Sequence, residues 1–151
     1  MSSTSYRSDI MINKLDGKIA FDSFSLTPNI TLQAFKSLLK SNQIVSQEEN
    51  EMAINIYLLP QKCRDKYFSI RLYFSQKNKV LTHLLISLQK DASIPSWTSW
   101  SEKDQLEVKK ANDSWLSEEI GDIPPYKFSW GEITSVYNQR EGSSYIAIKY
   151  Y

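Results

Sequence analysis

Cys63 and His83 are the only cysteine and the only histidine in the chain. They are therefore the first places to look for nucleophilic or acid–base chemistry. Cys63 stands in "QKCRDK" between Lys62 and Arg64. Neighbouring cations stabilise a thiolate, so this cysteine is a candidate reactive thiol. His83 lies in the apolar run "VLTHLLISLQ". A lone histidine in such a run is more often a hydrogen-bonded structural residue than a catalyst. Together the two define one enzymatic alternative, a small cytosolic hydrolase or thiol enzyme using Cys63 or His83.

Other catalytic constellations do not show. One histidine and one cysteine fall short of a clustered metal-ligand set, and no Asp/Asn-rich loop with a glycine suggests calcium. The four glycines are isolated, so no Gly-rich phosphate cradle is present. The expectation is no cofactor, no metal and no catalytic residue. The acidic groups "EENE" (48–51) and "SEEIGD" (117–122) read as solvated surface. Pairing of two carboxylates in space for hydrolysis is not legible in one dimension.

Composition narrows the class. Eighteen basic residues face 17 acidic ones, intermixed, for a net charge of +1. A nucleic-acid partner is not expected, since such binders carry a basic excess or stripe. A single cysteine precludes an internal disulfide and fits a reducing compartment. No apolar run has the length of a signal peptide core or of a membrane span. The reading is a cytoplasmic protein with no membrane partner. Its 151 residues suit one domain, with residues 1–9 as a flexible Ser-rich start and 10–151 folded.

The elements that must position these residues follow from periodicity. "GKIAFDSF" (17–24) alternates and predicts a strand carrying Ile19 and Phe21. Thr31 caps a helix with Leu32, Phe35, Leu38 and Leu39 at helical spacing, stopping near Ser41–Asn42, with Ile30 and Phe35 placed as a hydrophobic staple. Residues 43–51 read as a loop, with at most a short strand at Ile44–Val45. "MAINIYLLP" predicts a strand ended by Pro60, and 61–66 a polar connection. "YFSIRLYFS" (67–75) puts Phe68, Ile70, Leu72 and Phe74 on one face and Tyr67, Ser69, Arg71 and Tyr73 on the other. "QKNK" makes a turn into a third strand over 80–89.

A second helix follows, capped by Ser99 with Glu102 or by Ser101 with Asp104, and stopped by Gly121. Its apolar stripe is Val108, Ala111, Trp115 and Leu116, and Leu106 falls off it. Residues 132–138 and 143–151 form a terminal hairpin through "QREG", with Gly142 free to take positive φ. In that hairpin Ile146, Ile148 and Tyr150 face inward, while Tyr145, Ala147 and Lys149 face away. The order β-α-β-β-β-α-β-β with short links implies an α+β fold: an antiparallel sheet of about five to six strands with two helices on one face.

Trp97, Trp100 and Trp130 stand beside proline, serine and glycine. They either cover the sheet edge and the helix start or serve as partly exposed anchors for a partner. The segments holding them, "SWTSWSEKDQLEVKKANDSWL" and "PPYKFSWGEITSVYNQREGSSYIAIKYY", resemble small bacterial immunity proteins of polymorphic or contact-dependent growth-inhibition toxin systems. The front half, "GKIAFDSFSLTPNITLQAFKSLL", is similar to the strand-then-helix opening of some of them.

The resemblance covers over half the chain and implies a protein that binds a cognate toxin domain and occludes its active site or substrate surface. It implies no catalytic residues. Many such toxins are basic nucleases, so an acidic docking patch is implied, for which Asp104, Glu107, Glu118, Glu119 and Asp122 are the candidates, diluted by Lys103, Lys109 and Lys110. A third class, an adaptor or structural subunit of a bacterial assembly, would also present a surface rather than a reaction.

Overall fold

The strongest alternating segments form long strands. The computed structural model describes residues 11–39, 43–90, 101–121 and 123–151. Residues 1–9, Trp97, Ser99, Trp100, Asp122 and the proposed helix stop at Ser41–Asn42 lie outside these. The described chain is α+β, with nine strands and two helices: β1 (Ile19–Ala20), β2 (Ser25–Leu26), α1 (Leu32–Leu38), β3 (Ile44–Glu49), β4 (Ala53–Cys63), β5 (Lys66–Ser75), β6 (Leu81–Gln89), α2 (Glu102–Ile120), β7 (Tyr126–Phe128), β8 (Gly131–Asn138) and β9 (Ser143–Tyr150). Seven strands make one antiparallel sheet in the order β3-β4-β5-β6-β9-β8-β7, and β1 pairs with β2 alone. Two meanders, β3 to β6 and β7 to β9, thus meet where β6 pairs with β9.

One face of this sheet is the core. Ile54, Ile56 and Leu58 of β4, the four predicted residues of β5, Leu84 and Ile86 of β6, and Ile146 and Ile148 of β9 are all buried on it. Trp115 of α2 packs edge-on against Phe68 at 5.0 Å, and Phe35 of α1 lies 5.5 Å from Phe74. Both helices therefore cover the same face, as the sequence predicts. Burying Ile146 and Ile148 stabilises by about 1.5–3 kcal/mol each.

Three strand expectations need correction. Residues 17–24 do not form one strand: the chain turns back after Ala20, so Ile19 and Phe21 are buried while Ser23 is exposed. The polar segment 43–51 contains a six-residue strand, β3. An edge strand with little burial lacks the apolar alternation that would announce it. Pro60 does not end its strand. The register shifts between Leu58 and Gln61, one extra residue is accommodated there, and β4 continues to Cys63. A bulge is where a strand tolerates a residue without an N–H.

The helices differ in detail. Thr31 caps α1, its side chain accepting from the Ala34 N–H at 3.1 Å, but the helix ends at Leu38, which is exposed. Ser101 caps α2, accepting from the Asp104 N–H at 3.1 Å, and Gly121 ends it in the left-handed region at φ 77°. Ala111 is exposed, and the buried stripe of α2 is Asn112, Trp115, Leu116, Glu119 and Ile120. β7, which the sequence reading lacked, adds the seventh strand.

Candidate functional site: the open face of the sheet

Cys63 and His83 do not form a pair. Cys63 ends β4 on the helix-covered face, where its thiol lies 3.6 Å from the Ala20 carbonyl oxygen. Burial pushes this thiol up from its ordinary value, outweighing the pull of Arg64. That is the reverse of an activated cysteine. His83 projects from the opposite face, with its ring 6.2 Å from Tyr73 and Nδ1 3.0 Å from the Thr82 hydroxyl. Burial, with help from Lys149, lowers its pKa and favours the neutral imidazole. No group of three or more His, Cys, Asp or Glu side chains suited to a metal ion occurs among the described residues.

The proposed acidic patch is smaller than the sequence suggests. Asp104, Glu107 and Glu118 are exposed on α2. Glu119 is not a surface residue; its side chain is 2% exposed. It accepts from Arg64 at 2.6 Å and from the Met11 and Ile12 amides at 2.8 and 3.4 Å. The physical reason is helix phase: Glu119 stands four and three residues after Trp115 and Leu116, on their buried stripe, while Glu118 falls outside it. Asp122 lies outside the described residues. Trp130 is half-buried, stacked on Phe128 at 5.1 Å, with its indole N–H donating to the Lys14 carbonyl at 2.8 Å. It serves the fold.

The other face of the sheet has no described helix on it. Its central strands align their outward residues in rows. Tyr57 of β4 is opposite Arg71 of β5, Arg71 is opposite Leu85 of β6, and Leu85 is opposite Ala147 of β9. The next row runs Asn55, Tyr73, His83, Lys149 and Glu132. All are partly exposed except Lys149, which is exposed.

Arg71 is the centre of this surface. Its guanidinium lies 4.2 Å from the Tyr57 ring centroid and 5.8 Å from that of Tyr73, and it donates to the Tyr73 hydroxyl at 2.8 Å. Cation–π contact and the hydrogen bond hold three rotatable side chains in one arrangement. Burial pushes the Tyr57 phenol up, while Arg71 draws it the other way. Beside them the Asn55 side-chain oxygen, Oδ1, is shielded from solvent with no donor among the described residues. Alternation along β5 puts Arg71 and Tyr73 on this face from sequence alone. Tyr57 needs the register between β4 and β5, and no local pattern encodes that register.

A seven-stranded antiparallel sheet with both described helices on one side and an aromatic–arginine cluster on the other defines an α+β protein. No family model, no curated protein and no solved structure matches the chain. No described helix is long and apolar enough to cross a membrane.

Proposed function

We propose that the protein binds another protein through the open face of its sheet, and that it acts as an immunity protein in the bacterial cytoplasm, blocking a cognate toxin domain by occlusion. The observation that carries this reading is the Tyr57–Arg71–Tyr73 cluster. Tyrosine and arginine dominate the energetic centres of protein interfaces, and an anchor held in place before binding loses less entropy on association. The toxin as partner rests on the sequence resemblance. The exposed acids Asp104, Glu107 and Glu118 offer a second, weaker surface on α2.

Co-expression with the toxin domain encoded immediately upstream is the test. Wild type should restore growth and co-elute with the toxin. Arg71→Ala and Tyr57→Ala should keep a native circular dichroism spectrum yet bind about 30-fold or more weaker. Neutralising Asp104, Glu107 and Glu118 together should slow association and leave dissociation nearly unchanged. Absence of both rescue and complex would overturn the toxin reading. A different protein retained by wild type and lost with Arg71→Ala would instead support an adaptor role.

A further inference from the structure

Among the described residues the sheet ends in two edge strands, and they are built differently. At one end β3 exposes Glu48 and Glu49, and its register with β4 shifts between Ile44 and Ser46. Charges and irregular pairing are the usual protection of an edge against a stray strand. At the other end β7 covers only the start of β8. The Tyr151 N–H donates to the Trp130 carbonyl at 3.0 Å, so in this register Glu132, Thr134 and Val136 turn their backbone groups to β9. Gly131, Ile133, Ser135 and Tyr137 turn theirs outward. β7 takes Gly131 and Ile133 through Phe128 and Tyr126, and its pairing with β8 stops there.

The outward groups of Ser135 and Tyr137 have no strand beside them among the described residues. The segment Thr134–Asn138 carries no charge of its own, and Glu102 of α2 accepts from the Tyr137 hydroxyl at 3.2 Å. Beside it runs a groove of about 730 Å³ between α2, with Lys109 and Asp113, and the loop holding Ile123 and Pro124. Ile123 is 83% exposed at its rim.

We propose that this edge is a strand-addition site, taking an extended, uncharged segment of a partner protein in the lane that β7 vacates. The occupant follows from the chemistry: N–H and C=O pairs repeating every second residue are matched by an extended chain. A second copy fits less well. Antiparallel pairing centred on Val136 would place its Gln139 opposite Ile133, where Tyr126 already lies. The site uses residues distinct from the open face and stands whether or not the partner there is a toxin.

The test uses the full chain, nitrogen-15 labelled, and a blocked heptapeptide of alternating valine and threonine as probe. Millimolar peptide should shift the Ser135 and Tyr137 amides and slow their exchange about tenfold, leaving Gln47 on β3 unmoved. A peptide N-methylated at every second residue should lose the effect, because it lacks the donors the edge needs. Ser135→Pro removes an outward N–H without touching the β9 ladder, and should lose it too. The N-methylated peptide keeps the test decisive if that variant does not fold. Equal binding of both peptides, shifts elsewhere, or no shift overturns the proposal. So does protection of Ser135 and Tyr137 that rises with protein concentration alone, which would give the edge to a second copy.

Discussion

Glu119 holds three parts of the chain together with one carboxylate: α2 through its own backbone, the β4–β5 turn through Arg64, and the segment before β1 through the Met11 and Ile12 amides. Removing one partner of a buried pair leaves the others unsatisfied. Glu119→Ala should cost about 2–4 kcal/mol and Glu119→Gln about half of that, since an amide oxygen still accepts from the backbone. Urea melts decide this, and two silent substitutions would refute the role. The signal was present in the sequence, because Glu119 is four and three residues from Trp115 and Leu116, on their side of the helix. Read as a neighbour of Glu118, it looked like surface. His83 gives a second residue-scale prediction. Its folded pKa lies below the ordinary 6.5, so the unfolded chain binds the extra proton first. Stability should be intact above that value and fall as pH drops through it toward the lower folded value. Thermal melts between about pH 5 and 7.5 should show this slope, and His83→Gln should flatten it. A slope unchanged in that variant would assign it to other groups.

At the scale of elements, β9 was legible in its faces and illegible in its place. Ile146, Ile148 and Tyr150 are buried, and Lys149 is exposed, as strict alternation requires. A terminal hairpin suggests an edge, yet β9 lies inside the sheet, paired with β8 on one side and β6 on the other. Its neighbour across the seam is some sixty residues away in sequence, and no local pattern names it. The same limit hid β3 and the bulge at Pro60, whose reasons lie in the adjacent strand. β5, buried on one face along its whole length, was read correctly residue by residue. Ile148→Ala should cost about 2–5 kcal/mol, cavity included. Lys149→Ala should leave the melting temperature within a degree or two of wild type, and deletion of 143–151 should leave no folded protein. A collapse caused by Lys149→Ala, with Ile148→Ala unaffected, would mean the strand faces the other way.

The whole molecule is two meanders joined by a short seam. β6 and β9 pair at four positions, from His83 with Lys149 to Ile86 with Ile146. Continued, that register would set Leu88 against Ser144, but the strands do not pair there. α2 supplies what the ladder lacks. The Asn112 side-chain oxygen accepts from the Leu88 N–H at 3.0 Å, and its amide donates to the Ser87 hydroxyl at 3.2 Å. The Gln105 side chain accepts from the Ser144 N–H at 3.0 Å. Asn112 is wholly buried, and its loss takes the side-chain acceptor from the Leu88 N–H. Asn112→Ala should cost about 1–3 kcal/mol, and Gln105→Ala less, since Gln105 is only partly buried. Both act from the helix-covered side, whereas Arg71 and Tyr57 act from the other. Asn112→Ala should therefore lower the melting temperature and speed amide exchange at Leu88, while the proposed toxin protection, where wild type shows it, persists at temperatures where the variant stays folded. Arg71→Ala should do the opposite, keeping the melt and losing protection. If Asn112→Ala weakened binding as much as Arg71→Ala at equal folded fraction, the two faces would not be separable, and the open face would lose its claim to be the docking surface.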